Sequence, residues 1–304
     1  MVAPELSVEL CGIRLATPLI PASGTLAPEA LDEARGVYGA VLPKTVTLRP
    51  RRGNPPPRVA EAPAGMINSI GLQNPGIEEF LRGLAVWEIG GPIFVSVAGE
   101  TVEEFALLCE RVAADGRAAA IELNLSCPNV ERGGQVFCAR PSAVEEVVAA
   151  CRAAVPGVPL LAKLALEGVV ENARAAEAAG ADGLTVMNTV PALAVDARSG
   201  RVLLRGGLSG PAIKPLALRA VYDVASAVGL PVVGCGGVSS GTDVAEFMIA
   251  GATAVQVGSA AFVCDPAEIL AEFERYLLEE GVAASELAGA MHPAQGARPV
   301  PSER

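Results

Sequence analysis

Short apolar runs alternate with amphipathic, Ala-, Leu- and Glu-rich stretches along most of the 304-residue chain. The runs are bounded by Gly or Pro, so they read as strands of a parallel sheet, with the longer stretches as crossover helices. Eight candidate strands result: Pro18 to Ser23, Ala40 to Val46, Pro92 to Val97, Ala119 to Leu125, Pro159 to Ala165, Gly183 to Asn188, Pro231 to Gly236 and Ala254 to Gly258. Helices are expected at about residues 101–115, 141–154, 168–180, 215–228 and 242–250, with Glu- or Asp-rich starts, and a closing helix at 266–280.

Eight such units imply the α/β class and a (β/α)8 barrel, although an open doubly wound sheet accommodates a similar pattern. The polar residues favour the barrel. Ser23, Lys44, Ser96, Asn124, Lys163, Asn188, Gly236 with Gly237, and Gly258 with Ser259 all fall at strand C-terminal ends. A barrel gathers those ends around one mouth, whereas an open sheet spreads them along an edge. Three segments depart from the alternation. Residues 6–17 read as a hairpin turning at Cys11-Gly12, a lid on the barrel's bottom. Residues 50–76 are a Pro-, Gly- and Asn-rich loop, and residues 190–214 carry a second hairpin signal between Asp196 and Gly200. Both insertions follow strands that end at the mouth and are expected to roof it. One domain over residues 1–304 is expected, with a loosely ordered tail from residue 285.

Charge and composition then exclude several functions. A net charge of −11 and a pI near 4.8 leave no clustered basic surface for nucleic acid. No apolar run is long enough to span a bilayer and no basic segment precedes an apolar one at the start, so a cytoplasmic protein away from the membrane is expected. The cysteines at 11, 109, 127, 138, 151, 235 and 264 show no C-x-x-C spacing, so no metal or cluster site is expected in this chain. The one histidine, His292, sits in a Pro- and Gly-containing tail, which removes histidine as a general base in the core. Only three of the 23 basic residues are lysines, and Lys44 and Lys163 both end apolar strands. In a chain that otherwise uses Arg, this points to a site needing a compact ammonium; leftovers of a biased composition are the alternative.

Residues 121–129, Ile121-Glu122-Leu123-Asn124-Leu125-Ser126-Cys127-Pro128-Asn129, form a strand ending in two carboxamides, a hydroxyl and a thiol. Carboxamides donate and accept in one plane, which suits a flat amide-rich ligand, and a thiol can move a proton to or from carbon. The plainer alternative has the amides pairing with loop backbone and Cys127 as a small buried hydrophobe. Asn68, in residues 65–76, and Asn188-Thr189 add further amides and a hydroxyl at the same mouth, and buried amides are costly unless something pairs with them. Glycines follow the last two strands, in residues 234–241 and 257–260, where phosphate-binding barrels cradle an anion on backbone N–H groups. No G-x-G-x-x-G fingerprint follows a strand, which argues against a dinucleotide bound by a Rossmann unit.

On these residues the chain resembles the catalytic subunit of class 1 dihydroorotate dehydrogenase. The segments that carry the resemblance are Ala22 to Thr25, Pro43 to Thr47, Gly53 to Arg58, Asn68 to Leu72, Asn124 to Asn129, Lys163, Asn188-Thr189, Gly207 to Pro211 and the two glycine loops. The resemblance implies an FMN-containing barrel that oxidises dihydroorotate to orotate in pyrimidine biosynthesis. It implies Cys127 as the base at C5 while hydride leaves C6, and it implies Lys163 beside the flavin's N1 and O2. Lys44 would touch both flavin and substrate. Asn68, Asn124, Asn129 and Asn188 would bracket the pyrimidine and its carboxylate, with Ser69, Ile70, Gly71, Leu72 and Thr189 completing the pocket. Ser23, Thr45, Met187 and Gly210 would contact flavin, as would Asn124, and Gly236, Gly237, Gly258 and Ser259 its phosphate. Where many relatives carry Asn near the end of the third strand this chain has Ser96, a departure that puts this flavin contact in question.

Within class 1 the stretch from Met66 to Gln73 is more similar to class 1B. That implies a homodimer of this chain joined, in a heterotetramer, by a subunit carrying FAD and an iron–sulfur cluster and passing electrons to NAD. A fumarate-dependent homodimer of class 1A stays open, as do a flavin-free barrel using Lys163 as a Schiff base and a catalytically silent scaffold.

Overall fold

The computed structural model describes residues 4–126 and 137–292. The chain opens with a hairpin, β1 (Val8–Leu10) and β2 (Ile13–Leu15), before β3 (Leu19–Pro21) and the short α1 (Leu31–Ala34). A second hairpin, β4 (Val59–Ala62) and β5 (Gly65–Asn68), leads into α2 (Ile77–Gly83). Strand and helix then alternate as β6 (Ile93–Val97), α3 (Val102–Asp115), β7 (Ala118–Asn124), α4 (Pro141–Ala154), β8 (Leu160–Leu164), α5 (Val169–Ala178) and β9 (Gly183–Val186). A third hairpin, β10 (Val190–Asp196) and β11 (Arg201–Ser209), interrupts the series. It resumes with α6 (Lys214–Ala225), β12 (Val232–Cys235), α7 (Gly241–Ile249), β13 (Ala252–Val257), α8 (Pro266–Glu280) and α9 (Ala284–Leu287).

Seven parallel strands pair in the order β3-β13-β12-β9-β8-β7-β6. The gap between β6 and β3 is closed by residues 39–46, and the sheet thereby becomes a (β/α)8 barrel. This segment was expected as a strand from Ala40 to Val46, but it pairs with β6 only at isolated bridges, Val41 to Ile93 and Val46 to Val97, and meets β3 where Gly39 N–H donates to the Leu19 carbonyl at 2.8 Å. Pro43 offers no N–H to a ladder. The Ser23 hydroxyl substitutes for the missing backbone pairing, accepting from Thr45 N–H at 2.7 Å and lying 3.1 Å from the Pro43 carbonyl.

Each outer helix presents one apolar face to this sheet. In α3 the Thr101 side chain accepts the Glu104 N–H, Phe105, Leu108, Cys109 and Val112 are buried at helical spacing, and Gly116 ends the helix in the left-handed region at φ 79°. Cutting Leu108 back to Ala in such a packed layer costs about 2–5 kcal/mol. The β1–β2 hairpin, turning through Cys11 and Gly12 at positive φ, lies under the barrel, where the Cys11 thiol donates to the Asp182 carbonyl just before β9.

The roof differs from the expected loop. Within residues 50–76 the chain forms β4 and β5, and β5 pairs with β11 in a four-stranded antiparallel sheet ordered β10-β11-β5-β4. Strands this short gain their stability from a partner far along the chain, which local patterning does not show. The β10–β11 turn follows the expected chemistry: Asp196 accepts from Arg198 N–H, Ser199 Oγ and Gly200 N–H. The tail expected to be loose from residue 285 is packed as far as His292, which is buried, stacks on Tyr222 and donates from Nε2 to the Ala250 carbonyl at 2.9 Å.

Candidate active site

A cavity of about 840 Å³ opens at the C-terminal ends of the barrel strands, beneath the antiparallel roof. Its wall carries Ser23, Lys44, Thr45, Asn124, Lys163, Met187, Asn188, Cys235, Gly236, Gly237, Gly258 and Ser259; its roof adds Asn68, Ile70, Gly71, Leu72, Thr189 and Gly210. Most of the residues singled out from sequence are thus brought to one place.

The wall is organised around Lys163, whose ammonium donates to Gln256 Oε1 at 2.7 Å and lies 3.8 Å from Glu122 Oε1. Gln256 Nε2 donates to Glu122 Oε2 at 2.7 Å, and Thr185 Oγ1 to the same oxygen at 3.0 Å. These groups come from β8, β13, β7 and β9, and β7 and β13 are not neighbours in the sheet, so the network spans the barrel's interior. All four residues are buried. Burial is the largest single influence on Lys163 and would lower its pKa; the attraction of Glu122 and, where it ionises, of Cys235 together outweigh it, and the ammonium is held above its ordinary value. Glu122, Thr185 and Gln256 were not among the sequence candidates. The signal was present: Glu122 lies two positions before Asn124 on one strand, hence on the same face, and Gln256 lies two before Gly258.

Amides line the other side. Asn188 Nδ2 donates to Ser126 Oγ at 2.7 Å, and Asn188 Oδ1 accepts the Thr189 N–H at 2.8 Å. Asn124 Nδ2 reaches Thr45 Oγ1 at 3.5 Å, and Asn68 Nδ2 reaches the Gly207 carbonyl at 3.3 Å. Both contacts are long, leaving these carboxamides capacity for a ligand. Lys44 lies across Gly24, where an added Cβ would fall 2.6 Å from Lys44 Cδ. Gly237, at φ 81°, leaves room for Lys214, whose Cβ would be 2.7 Å from a side chain there.

Two expected contacts do not reach the cavity. Ser96 lies behind Thr45, its hydroxyl 3.0 Å from Thr45 Oγ1, so it supports a lining residue and does not line the site. Ser69 is turned towards Asn54, whose Nδ2 donates to its hydroxyl at 2.9 Å. Cys127 and Asn129 lie outside the described residues. Among the described thiols, burial pushes Cys11 up to about 12 and Cys138 up to about 11. It also raises Cys235 and Cys264, and Cys109 is raised by its neighbour Cys151 and by burial. None of these five is a ready thiolate.

The donor set suits a planar, anionic cofactor. Bare glycine backbone after β12 and β13 can approach a phosphate, Lys163 offers a fixed cation, and Ile213, Met187 and Val238 supply apolar surface. Among the described residues no cluster of His, Cys, Asp or Glu could hold a metal ion, and no helix is long and apolar enough to cross a membrane.

Fold and site together define a (β/α)8 barrel with its chemistry at the C-terminal mouth. Residues 5–277 match the family model described as dihydroorotate dehydrogenase. A relative in Geobacter metallireducens, "Dihydroorotate dehydrogenase B (NAD(+)), catalytic subunit", is 46% identical over 96% of this chain and 99% of its own length. One of the same name in Anoxybacillus flavithermus is 45% identical over 91% and 92%. A solved dihydroorotate dehydrogenase of Eimeria tenella, in complex with ferulenol, superposes with a TM-score of 0.82 at 22% identity, covering 95% of this chain and 89% of that one, a likeness of fold. The chain belongs to the dihydroorotate dehydrogenase family, whose members are oxidoreductases.

Proposed function

We propose that this chain oxidises dihydroorotate to orotate as the FMN-binding catalytic subunit of a class 1B enzyme in the cytoplasm. The observation that carries the reading is one cavity that sets a buried ammonium and glycine backbone against a group of carboxamides. Bound FMN would accept the hydride leaving C6 of the substrate. The chain's residues supply the rest. Gly236, Gly237, Gly258 and Ser259 would hold the phosphate on backbone N–H groups, and Lys163 would face the flavin's N1 and O2 edge. Asn68, Asn124, Asn129 and Asn188 would orient the pyrimidine, with Lys44 between the two partners and backbone at Ile70, Gly71 and Leu72 at its carboxylate. Cys127 would take the C5 proton, so that loss of one proton and one hydride leaves the C5–C6 double bond.

The class 1B assignment draws on the names of the relatives, which pair a catalytic subunit with NAD(+). It implies a separate electron-transfer subunit carrying FAD and an iron–sulfur cluster, joined to a homodimer of this chain. The test is the purified chain alone. It should carry one FMN, bleach with dihydroorotate and reduce artificial acceptors but not NAD until the partner subunit is added. A colourless protein that takes up no FMN would remove the reading, and efficient fumarate turnover without a partner would move it to class 1A.

A further inference from the structure

The interior network contains one atom that its hydrogen bonds leave over. Glu122 Oε2 is satisfied by Thr185 and Gln256, while Oε1 is buried with no hydrogen-bond partner among the described residues and faces Lys163 Nζ at 3.8 Å. A buried carboxylate in this state is stable only beside a fixed positive charge. The Gln256 amide fixes the arrangement. Its oxygen accepts from Lys163 and its NH₂ donates to Glu122; turned over, it would set NH₂ against the ammonium and its oxygen against the carboxylate. The lysine spends one donor on Gln256, and its other donors remain for the cavity it lines.

We propose that Glu122 is a positioning residue for the reaction: through Gln256 and its own charge it holds the Lys163 ammonium protonated and aimed at the cavity, and so sets how readily bound FMN accepts electrons. This rests on the reading that the cavity holds FMN. The groups facing Lys163 define the balance. Glu122 on β7 is the carboxylate, Cys235 on β12 is a thiol kept neutral by burial, Gln256 and Thr185 are uncharged, and Lys44 lines the same cavity with like charge. With Glu122 neutralised, burial is left to act on Lys163 largely unopposed and favours the free amine. Negative charge arriving with two electrons would then draw a proton back onto Nζ, so that each two-electron reduction takes up one proton more than in the unmodified protein.

The experiment measures the two-electron potential of bound FMN against reference dyes across the neutral and alkaline range, in the unmodified holoprotein, Glu122→Gln and Glu122→Asp. In Glu122→Gln the reduction equilibrium should lose an extra tenfold per pH unit, about 30 mV for a two-electron couple. It should start above the unmodified protein at the acid end, where Lys163 is charged without its counter-ion. Glu122→Asp should restore the unmodified slope. Parallel lines for all three proteins would overturn the proposal. A thermal-unfolding cycle of Glu122→Gln, Lys163→Met and the double variant separates this from the cofactor reading, because it needs no flavin. Glu122→Gln should lower the melting temperature, and adding Lys163→Met should recover much of the loss; simple additivity would overturn the pairing even in a protein that binds FMN. If Glu122→Gln gives no folded protein, recovery of folded protein in the double variant supports the proposal and failure to recover it overturns it.

Discussion

The wall and the roof of this cavity hold their polar groups by opposite means. The wall spends charged and amide side chains on one another, in a network of four buried residues carried by four strands whose own backbone is paired in the sheet. The roof presents backbone. Gly71 and Leu72 stand in the left-handed region at φ 73° and 53°, and they are pinned by Asn74, which accepts from Thr47 and Gly76 N–H and donates to Thr47 Oγ1 and the Leu72 carbonyl. A charge set on strands cannot follow a ligand, whereas turns clamped by a few side-chain hydrogen bonds can open and re-form. The division suits a resident cofactor on the wall and an exchanging substrate under the roof.

Removing the proposed base, Cys127, tests this division most severely, because the reaction should fail while both networks stand. Cys127→Ala should cost about a hundredfold or more in dihydroorotate-driven flavin reduction, while FMN content and substrate affinity stay near those of the unmodified protein. Rapid-mixing absorbance gives the rate and titration of the bleached flavin gives the affinity. Full-rate reduction in this variant would return the proton transfer to a group on the wall or the roof, and lost FMN would make Cys127 part of the wall.

Asn74→Ala attacks the roof alone. It strands the Thr47 and Gly76 N–H groups and the Leu72 carbonyl, while the Thr47 hydroxyl keeps its bond to the Arg49 carbonyl, for about 2–3 kcal/mol of stability once water repairs part of the loss. Dihydroorotate affinity should weaken with it while FMN content holds, as equilibrium unfolding, substrate titration and released flavin would register. Equal loss of FMN and substrate would mean that roof and wall form one cooperative unit.

How far each half was legible in sequence follows from the same difference. Strand ends could be read because a change from apolar to polar marks where a parallel strand leaves the core, and Asn124, Lys163 and Asn188 fall there. Strand interiors were harder. Glu122 and Gln256 sit inside apolar runs, and only the register of β7, β8 and β13 shows that they meet Lys163. Ser96 and Ser69 went the other way: each lies beside site residues in sequence, but Ser96 packs behind Thr45 and Ser69 turns to Asn54. The roof strands β4 and β5 depend on β11, about 140 residues later, and no local pattern carries that pairing.

Asp243 tests the wall at its glycine loops. It accepts from Ser239 N–H at 2.8 Å and Ser239 Oγ at 3.0 Å, and it pairs with Lys214, fixing the turn that follows Gly237. Burial would raise its carboxyl, but the bonds from Lys214 and Ser239 prevail and hold it below its ordinary value of 3.8. A depressed carboxyl contributes stability above its unfolded pKa and loses it as pH falls through the folded one. Asp243→Asn should therefore cost about 2 kcal/mol near neutrality, a difference that shrinks as pH drops below 3.8. Denaturant unfolding at several pH values would show it; a gap that persists in strong acid would assign the effect to packing.

The smallest effect is expected at Ser96, and it draws the boundary of the site. Its hydroxyl lies 3.0 Å from Thr45 Oγ1, and Thr45 Oγ1 in turn lies 2.7 Å from the Ser23 hydroxyl that closes the barrel around residues 39–46. Loss of one such bond costs about 1 kcal/mol, and Ser23 keeps Thr45 supplied with a partner. Ser96→Ala should thus lower stability slightly, with FMN affinity and the flavin spectrum unchanged, because the hydroxyl does not line the cavity. Ser96→Asn distinguishes support from contact: the larger amide must displace Thr45 to fit, and should weaken FMN binding where the Ala variant does not. If Ser96→Ala itself weakened FMN binding, the wall would be one residue deeper than the cavity shows, and Ser96 would act on the flavin through Thr45.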